Sequence, residues 1–449
     1  MIKWITVREY LKKERVILLI CLATFIISLG YAFAYRIAPI VDAKAYDKMG
    51  WNIAQGNGFR LVLDVPIELD DAITYQGPMF QFFLAGIYSI FGHHIEAVWI
   101  VHALLRAFTV YFMFATCRLL FSETNGRRIG LIAGAFIGFY PDLIEIAAMI
   151  MTETLFLFLS VLTLYIFARL YRKISYAGVV AFAFVLGLTV LTRSTILAFS
   201  PFFLYFLFRQ KARWQIGVFF LVLAAVLTPW AARNYFTYHA FIPTMANFGY
   251  NLIVGNRVGH DGEGGAPANL PEISRKYGMI GANVYGVEYF KQFLREHPFL
   301  YVKLTMIRGM KYFSPIRPIG FWFYQTGWKQ MVFVMSSAAA SFVLFVCGFV
   351  GIFAGLKERK RAVYYLCWFS LVTAAPVIGI LVETRYRFPI YPFMAIFAGF
   401  AISGWMENKK IYQRYFAYSL LAVTAIGGID LSMELPKVIS KVNGMFLKR

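Results

Sequence analysis

Asp42 and Asp47 stand five residues apart in Asp42-Ala-Lys-Ala-Tyr46-Asp47, directly after the first apolar segment of a chain that uses acids sparingly. A carboxylate at the mouth of a membrane bundle can act as general base toward a hydroxyl or an amine. Other ionisable groups border later apolar segments: Glu153 in Met151-Thr152-Glu153-Thr154, Arg193 in Leu191-Thr192-Arg193-Ser194, and Arg233 after Pro229-Trp230. His102 and Arg106 lie four apart on one helical face, and Glu383, Arg385 and Arg387 share one short stretch. A charge at the centre of a membrane helix costs about 2.5–3.5 kcal/mol on insertion scales, so each of these groups needs a partner or a task. Arginines can hold a phosphate and stabilise the charge that develops on it as a leaving group. Carboxylates and arginines gathered at one membrane face thus suit group transfer from a lipid phosphate delivered out of the bilayer.

Plainer readings stand beside these. Glu153 could pair with Arg193 or Arg106 and fix helix packing. Arg385 and Arg387 could be snorkelling residues, and Asp47 a solvated loop residue. His93, His94 and Glu96 lack any supporting metal-ligand motif, and no GxSxG, HExxH or P-loop occurs in a usable context. The four cysteines (Cys21, Cys117, Cys347, Cys367) fall inside apolar segments and imply neither a disulfide framework nor a zinc site.

The elements that must position these groups are membrane helices. Of 449 residues, 60% are apolar and 15% charged, with a mean hydropathy of +0.63. Apolar segments at 16–35, 96–121, 129–147, 150–170, 176–192, 195–208, 215–232, 330–355, 363–382, 388–405 and 413–431 predict an all-α membrane protein with about eleven transmembrane helices (range about 10–13). The net charge of +21 is explained largely by topology. Short connections carry Lys3, Arg8, Lys12, Lys13 and Arg15, then Arg127 and Arg128, Arg169, Arg172 and Lys173, Arg209, Lys211 and Arg213, Lys357 to Arg361, and Lys409, Lys410 and Arg414. Nearly half of the 44 Lys and Arg thus fall where the positive-inside rule places cytoplasm, with the N-terminus inside. Nucleic acid is excluded as the reason for the charge. Ala32-Phe33-Ala34 resembles a signal-peptidase site, yet an uncleaved anchor fits the many spans that follow.

Within one membrane unit, 1–449, two outward regions stand out, followed by C-terminal spans over 330–431. The first region, 36–94, holds the acidic motif and ends in Pro78 to Tyr88, too short to span and expected at the interface. The second, 233–329, contains a Gly-rich loop at 255–265 and amphipathic helices broken near Pro298. Lys291, Arg295, Lys303, Arg308 and Lys311 are expected there on the outer surface, near lipid headgroups. An odd number of spans leaves the C-terminus outside, where Lys437, Lys441, Lys448 and Arg449 fit the charge rule poorly.

The ordered motifs resemble the polytopic glycosyltransferases of the GT-C type, and specifically the family-39-like group of protein O-mannosyltransferases and aminoarabinose transferases. The likeness rests on Asp42, Tyr46 and Gly56-Asn-Gly58-Phe59; Tyr75-Gln76-Gly77-Pro78-Met79 leading to Phe91-Gly92; Tyr140-Pro141; Thr152-Glu153-Thr154-Leu155-Phe156; Leu191-Thr192-Arg193; Pro229-Trp230-Ala-Ala-Arg233-Asn234-Tyr235; Gly255-Asn256; and Arg385-Tyr-Arg387-Phe388-Pro389. It implies a GT-C fold and inverting transfer of a sugar from a polyprenyl-phosphate donor to a lipid, glycan or protein acceptor. The chemistry would lie on the periplasmic or extracellular side of the cytoplasmic membrane. Asp42 would be the catalytic base and Glu153 a second acid, with Tyr46 and Asp47 in support. Arg193, Arg233, Arg385, Arg387, His102 and Arg106 would be candidates for the donor and its lipid phosphate; a divalent metal is left open. Ala43 follows Asp42 where protein mannosyltransferases carry Asp-Glu, and Gln76-Gly77 stands where aminoarabinose transferases carry Glu-Lys, so neither acceptor class follows from the motifs. The rivals are a transporter or flippase, for which no internal repeat is evident, and a GT-C ligase that uses a polyprenyl-pyrophosphate glycan.

Overall fold

The computed structural model describes residues 13–75, 77–263, 265, 270–316, 325, 327–407 and 410–447. Lys3, Arg8, Lys12, Gln76, Lys409, Lys448 and Arg449, invoked above, lie outside the described residues. The described residues are helical, apart from loops and one isolated bridge between Glu263 and Val382.

The helices are α1 Arg15–Tyr35, α2 Asp42–Ala54, α3 Met79–Phe91, α4 Ile95–Leu120, α5 Glu123–Phe139, α6 Pro141–Ala147, α7 Thr152–Arg172, α8 Tyr176–Thr192, α9 Ser200–Arg209 and α10 Arg213–Tyr238. They continue with α11 Phe248–Gly255, α12 Leu270–Glu296, α13 Pro298–Phe313, α14 Gly327–Lys357, α15 Arg361–Ile380, α16 Tyr391–Met406 and α17 Lys410–Leu447. One apolar core runs through the bundle from Ile17 to Val423.

Among the described residues, eight helical stretches are long and apolar enough to cross a membrane, or up to nine if the bent pair α5–α6 is one span. The sequence led us to expect about eleven. All eleven apolar segments are helical, but three are not simple spans. Segment 129–147 bends by 56° at Tyr140-Pro141, because proline cannot continue the hydrogen-bond ladder and forces its predecessor out of helical geometry. Segments 176–192 and 195–208 become a 17-residue helix, then a 3-10 turn Ser194–Phe199 and the 10-residue α9, with Arg193 extended between them.

The short helix expected over Pro78 to Tyr88 is present as α3. It crosses α2 so closely that a Cβ on Gly50 would lie 2.6 Å from Leu84 Cβ. The second outer region forms α11, α12 with a kink at Gly278, and α13, which starts at Pro298 as read from the sequence. One expectation there is corrected. Lys291, Arg295 and Lys303 are exposed, but Arg308 and Lys311 are fully buried and do not reach headgroups. Both turn toward carbonyls and carboxylates inside the protein, where a charge must be paired.

Lys311 binds Glu434 of α17 at 2.8 Å and Glu263 of the Gly-rich loop at 2.9 Å. The far end of α17 therefore lies on the same side of the bundle as that loop.

Close glycine packing makes the bundle tight. A Cβ on Gly351 of α14 would meet the carbonyl oxygen of Phe397 in α16 at 1.9 Å, whereas one on Gly217 of α10 meets nothing within 4 Å. Gly351→Ala should thus destabilise the protein by about 1–3 kcal/mol through overpacking. Gly217→Ala should be neutral or stabilise by up to about 1 kcal/mol. Thermal unfolding midpoints in one detergent check both.

Candidate active site

Asp42 is the first residue of α2, where unsatisfied amides favour a negative charge. It follows Val41, which sits at φ 48°, ψ −119°. A β-branched residue in that region stores about 1–3 kcal/mol of strain, held by the surrounding structure. The strained turn directs the Asp42 carboxylate into a cavity of about 830 Å³ between α2, α11, α12 and the segment 381–386. Arg385 Nη2 donates to Asp42 Oδ2 at 2.6 Å, and its Nε reaches Glu383 Oε2 at 3.3 Å. Tyr46, Tyr75, Tyr250, Asp71, Glu263 and Arg193 also line the cavity. Burial, then the Asp42 carboxylate, raise the phenols of Tyr46, Tyr75 and Tyr250 above their ordinary range, so all three remain hydrogen-bond donors.

Asp47 does not join Asp42. Five residues at about 100° each set the two side chains about 140° apart around α2. Tyr88 donates to Asp47 at 2.5 Å and His93 Nε2 lies 2.9 Å away, with Trp51 stacked on His93. Asp47 ties α2 to α3, outside the cavity.

Glu153 is fully buried at the start of α7 and pairs with Arg193, the residue that ends α8. Arg193 also donates to Thr152 Oγ1 at 3.0 and 3.1 Å. Of the pair, Arg193 lines the cavity and Glu153 stands behind it. Of the two partners open to Glu153 from the sequence, the structure selects Arg193.

The remaining candidates hold backbone together. Arg106 donates to Ser28 Oγ and to the carbonyls of Ile137 and Gly138, which the break after α5 frees. His102 Nδ1 meets the Ala147 carbonyl at 3.1 Å, with the ring stacked against Phe83. Arg233 lies over Trp230, Tyr238 and Phe59 and donates to the Phe59 carbonyl, binding the Gly-x-Gly-Phe turn to the end of α10. Arg387, two residues beyond Arg385 in the 3-10 turn Thr384–Ile390, points elsewhere and donates to Ser314 O at 2.6 Å.

Some residues now in view were passed over in the sequence. Asn247, Tyr250, Asn251 and Val254 line the cavity from α11. Their i, i+3, i+4, i+7 spacing was the available signal, hidden in a loop-like stretch. Arg308 donates to the carbonyls of Ile378, Gly379 and Gly255 and so fixes the end of α15, from which the segment bearing Arg385 departs.

The described residues do not fit a divalent cation well. Asp42 meets an arginine rather than a second ligand. One group of three acids has suitable spacing among the described residues, Asp261, Glu263 and Glu434. The Lys311 ammonium already stands among them, at 3.7, 2.9 and 2.8 Å. Burial lowers the affinity of Lys311 for its proton, yet those acids outweigh burial and hold its pKa above the ordinary value.

The backbone arrangement is similar to that of a known structure. The chain superposes on the Archaeoglobus fulgidus oligosaccharyltransferase, crystallised with zinc and sulfate, with a TM-score of 0.52 at 16% identity over 92% of this chain. This is a GT-C fold. The chain spans about half, 51%, of that relative. The sequence model of the family described as dolichyl-phosphate-mannose-protein mannosyltransferase matches residues 75–232, which bears out the family-39-like resemblance. ArnT from Cupriavidus metallidurans, solved with undecaprenyl phosphate, is more distantly similar, with a TM-score of 0.40, 13% identity, and 87% and 77% of the two chains covered. No curated protein sequence matches. The GT-C chain is a multi-pass membrane protein.

In this GT-C chain, Arg193→Ala should strand the buried Glu153 and destabilise by about 3–5 kcal/mol. The pair Arg193→Met with Glu153→Gln should recover much of that loss, since no buried charge remains. Unfolding midpoints of the single and double variants test it; an additive double variant would contradict the pairing.

Proposed function

We propose that this GT-C protein is a membrane glycosyltransferase that takes a sugar from a polyprenyl-phosphate donor and passes it, with inversion, to an acceptor at the outer face of the cytoplasmic membrane. The observation that carries the reading is the Asp42–Arg385 pair at the mouth of the cavity. It sets a base and a phosphate-binding cation side by side. The name of the matched family, with its dolichyl-phosphate-mannose donor, supports a lipid-phosphate sugar. The gathering of polar groups at one end of the bundle supports transfer over alternating access, which needs groups reaching both faces.

In this reading the acceptor hydroxyl gives its proton to Asp42. Arg385 engages Oδ2, which leaves Oδ1 to receive the proton. The acceptor oxygen forms its bond to the anomeric carbon as the bond from that carbon to the phosphate oxygen breaks. Polyprenyl phosphate departs, and Arg385 and Arg193 neutralise its charge. Glu153 acts through Arg193, which it holds in place; the motifs alone would make it a second acid. Tyr46 donates from the cavity wall, and no step calls on a metal.

Asp42→Asn should lower transfer by at least about 10²-fold, as loss of a general base does, with an unchanged unfolding midpoint. Release of labelled sugar from a panel of lipid-linked sugars, followed by mass spectrometry of the product, measures it. Near-normal turnover in that variant would remove Asp42 from the mechanism. Turnover of pyrophosphate-linked donors alone would replace the donor class.

A further inference from the structure

The wall of the cavity facing Asp42 is built differently from the charged side. It is one face of α11, presenting Asn247, Tyr250, Asn251 and Val254, with Tyr75 beside it. The opposite face of α11 is locked down: a Cβ on Gly249 would lie 1.9 Å from the carbonyl oxygen of Asn283 in α12. Gly249 N also donates to Asn283 Oδ1 at 2.7 Å. The orientation of α11 is thereby fixed, and its polar face is held toward the cavity.

Those polar side chains have no structural duty that explains them. Asn247 stands at the N-cap of α11 but makes no side-chain capping hydrogen bond, and Asn251 lies inside the helix, where Asn is a poor former and commonly bonds back to its own backbone. Among the described residues, neither the Asn247 nor the Asn251 amide, nor the Tyr250 hydroxyl, makes a hydrogen bond within the protein. They present two amides, each both donor and acceptor, and a phenol that stays protonated.

We propose that this face of α11 binds a neutral, hydroxyl-rich carbohydrate, and that the acceptor of the reaction is therefore a glycan. The second half rests on the transferase reading above. Amides and phenols match sugar hydroxyls, which also donate and accept, while the Tyr250 ring offers an apolar face to sugar C–H groups. A peptide docking by strand addition would call for a sheet edge; the described residues offer an isolated bridge and no strand. An acyl chain would call for an apolar groove, and Val254 is the apolar residue this face of α11 supplies.

The test is saturation-transfer NMR on the full chain in lipid nanodiscs, with neutral linear tetrasaccharides of glucose, mannose and N-acetylglucosamine as probes. At least one should bind. Asn251→Ala and Tyr250→Ala should each weaken it about fivefold or more, the loss of one or two neutral hydrogen bonds, while Gly217→Ala on α10, away from the cavity, should bind as wild type does. Asn251→Leu, similar in size but without the amide, serves if the alanine variant unfolds. The proposal is overturned if no tetrasaccharide binds, or if binding is indifferent to all these substitutions. It is also overturned if they raise the KM of the lipid donor and leave that of the glycan unchanged, which would assign the face to the donor sugar. Sugar binding at this face without transfer from any lipid-linked donor would sink the transferase reading instead, while transfer to a peptide alone would sink the glycan acceptor.

Discussion

Helices that stop inside a membrane protein leave carbonyls that water does not reach, and this structure depends on how those carbonyls are satisfied. A helix end carries four such groups, and in an apolar bundle each one left alone costs several kcal/mol. Buried arginines answer three of the breaks seen here. Arg106 takes Ile137 and Gly138 where α5 stops, Arg308 takes Ile378 and Gly379 where α15 stops, and Arg387 takes Ser314 beyond α13. A planar guanidinium with five donors serves several carbonyls at once, which a lysine could not.

The breaks are useful because they sit where the cavity is. A continuous helix would present only side chains along its flank. A helix that ends at Ile380 hands over to the short stretch 381–383 and then a 3-10 turn, Thr384–Ile390, from which Arg385 reaches Asp42. The end of α8 likewise delivers Arg193 to the cavity while Glu153 secures it from behind. Stability and function share residues in this arrangement, but they divide the labour: charges paired with backbone hold the scaffold, and those paired across the cavity mouth remain available to a ligand.

The motif set is legible in the same terms. Asp42, Tyr46, Tyr75, Arg193, Glu383 and Arg385 meet around one space, whereas Asp47, His102, Arg106, Arg233 and Arg387 do not line it. Phe59, Trp230 and Arg233 come together as well, but as an aromatic and cationic joint between the first outer region and α10. Both kinds of motif look alike in a sequence, since packing joints and reactive groups each require particular side chains.

The sequence by itself determined the membrane class, most helix positions, the uneven spread of Lys and Arg among the connections, and the break at Pro298. Those follow from local quantities: apolar run length, charge bias and proline. Only the tertiary structure decided that Asp42 and Asp47 part company around α2, that Glu153 faces Arg193 rather than Arg106, and that Arg308 and Lys311 turn inward. These depend on which surfaces meet across hundreds of residues, and a buried charge takes whichever partner the packing brings. The same limit hid the polar face of α11, because a turn-rich stretch reveals its helical period only once α12 is packed against its back.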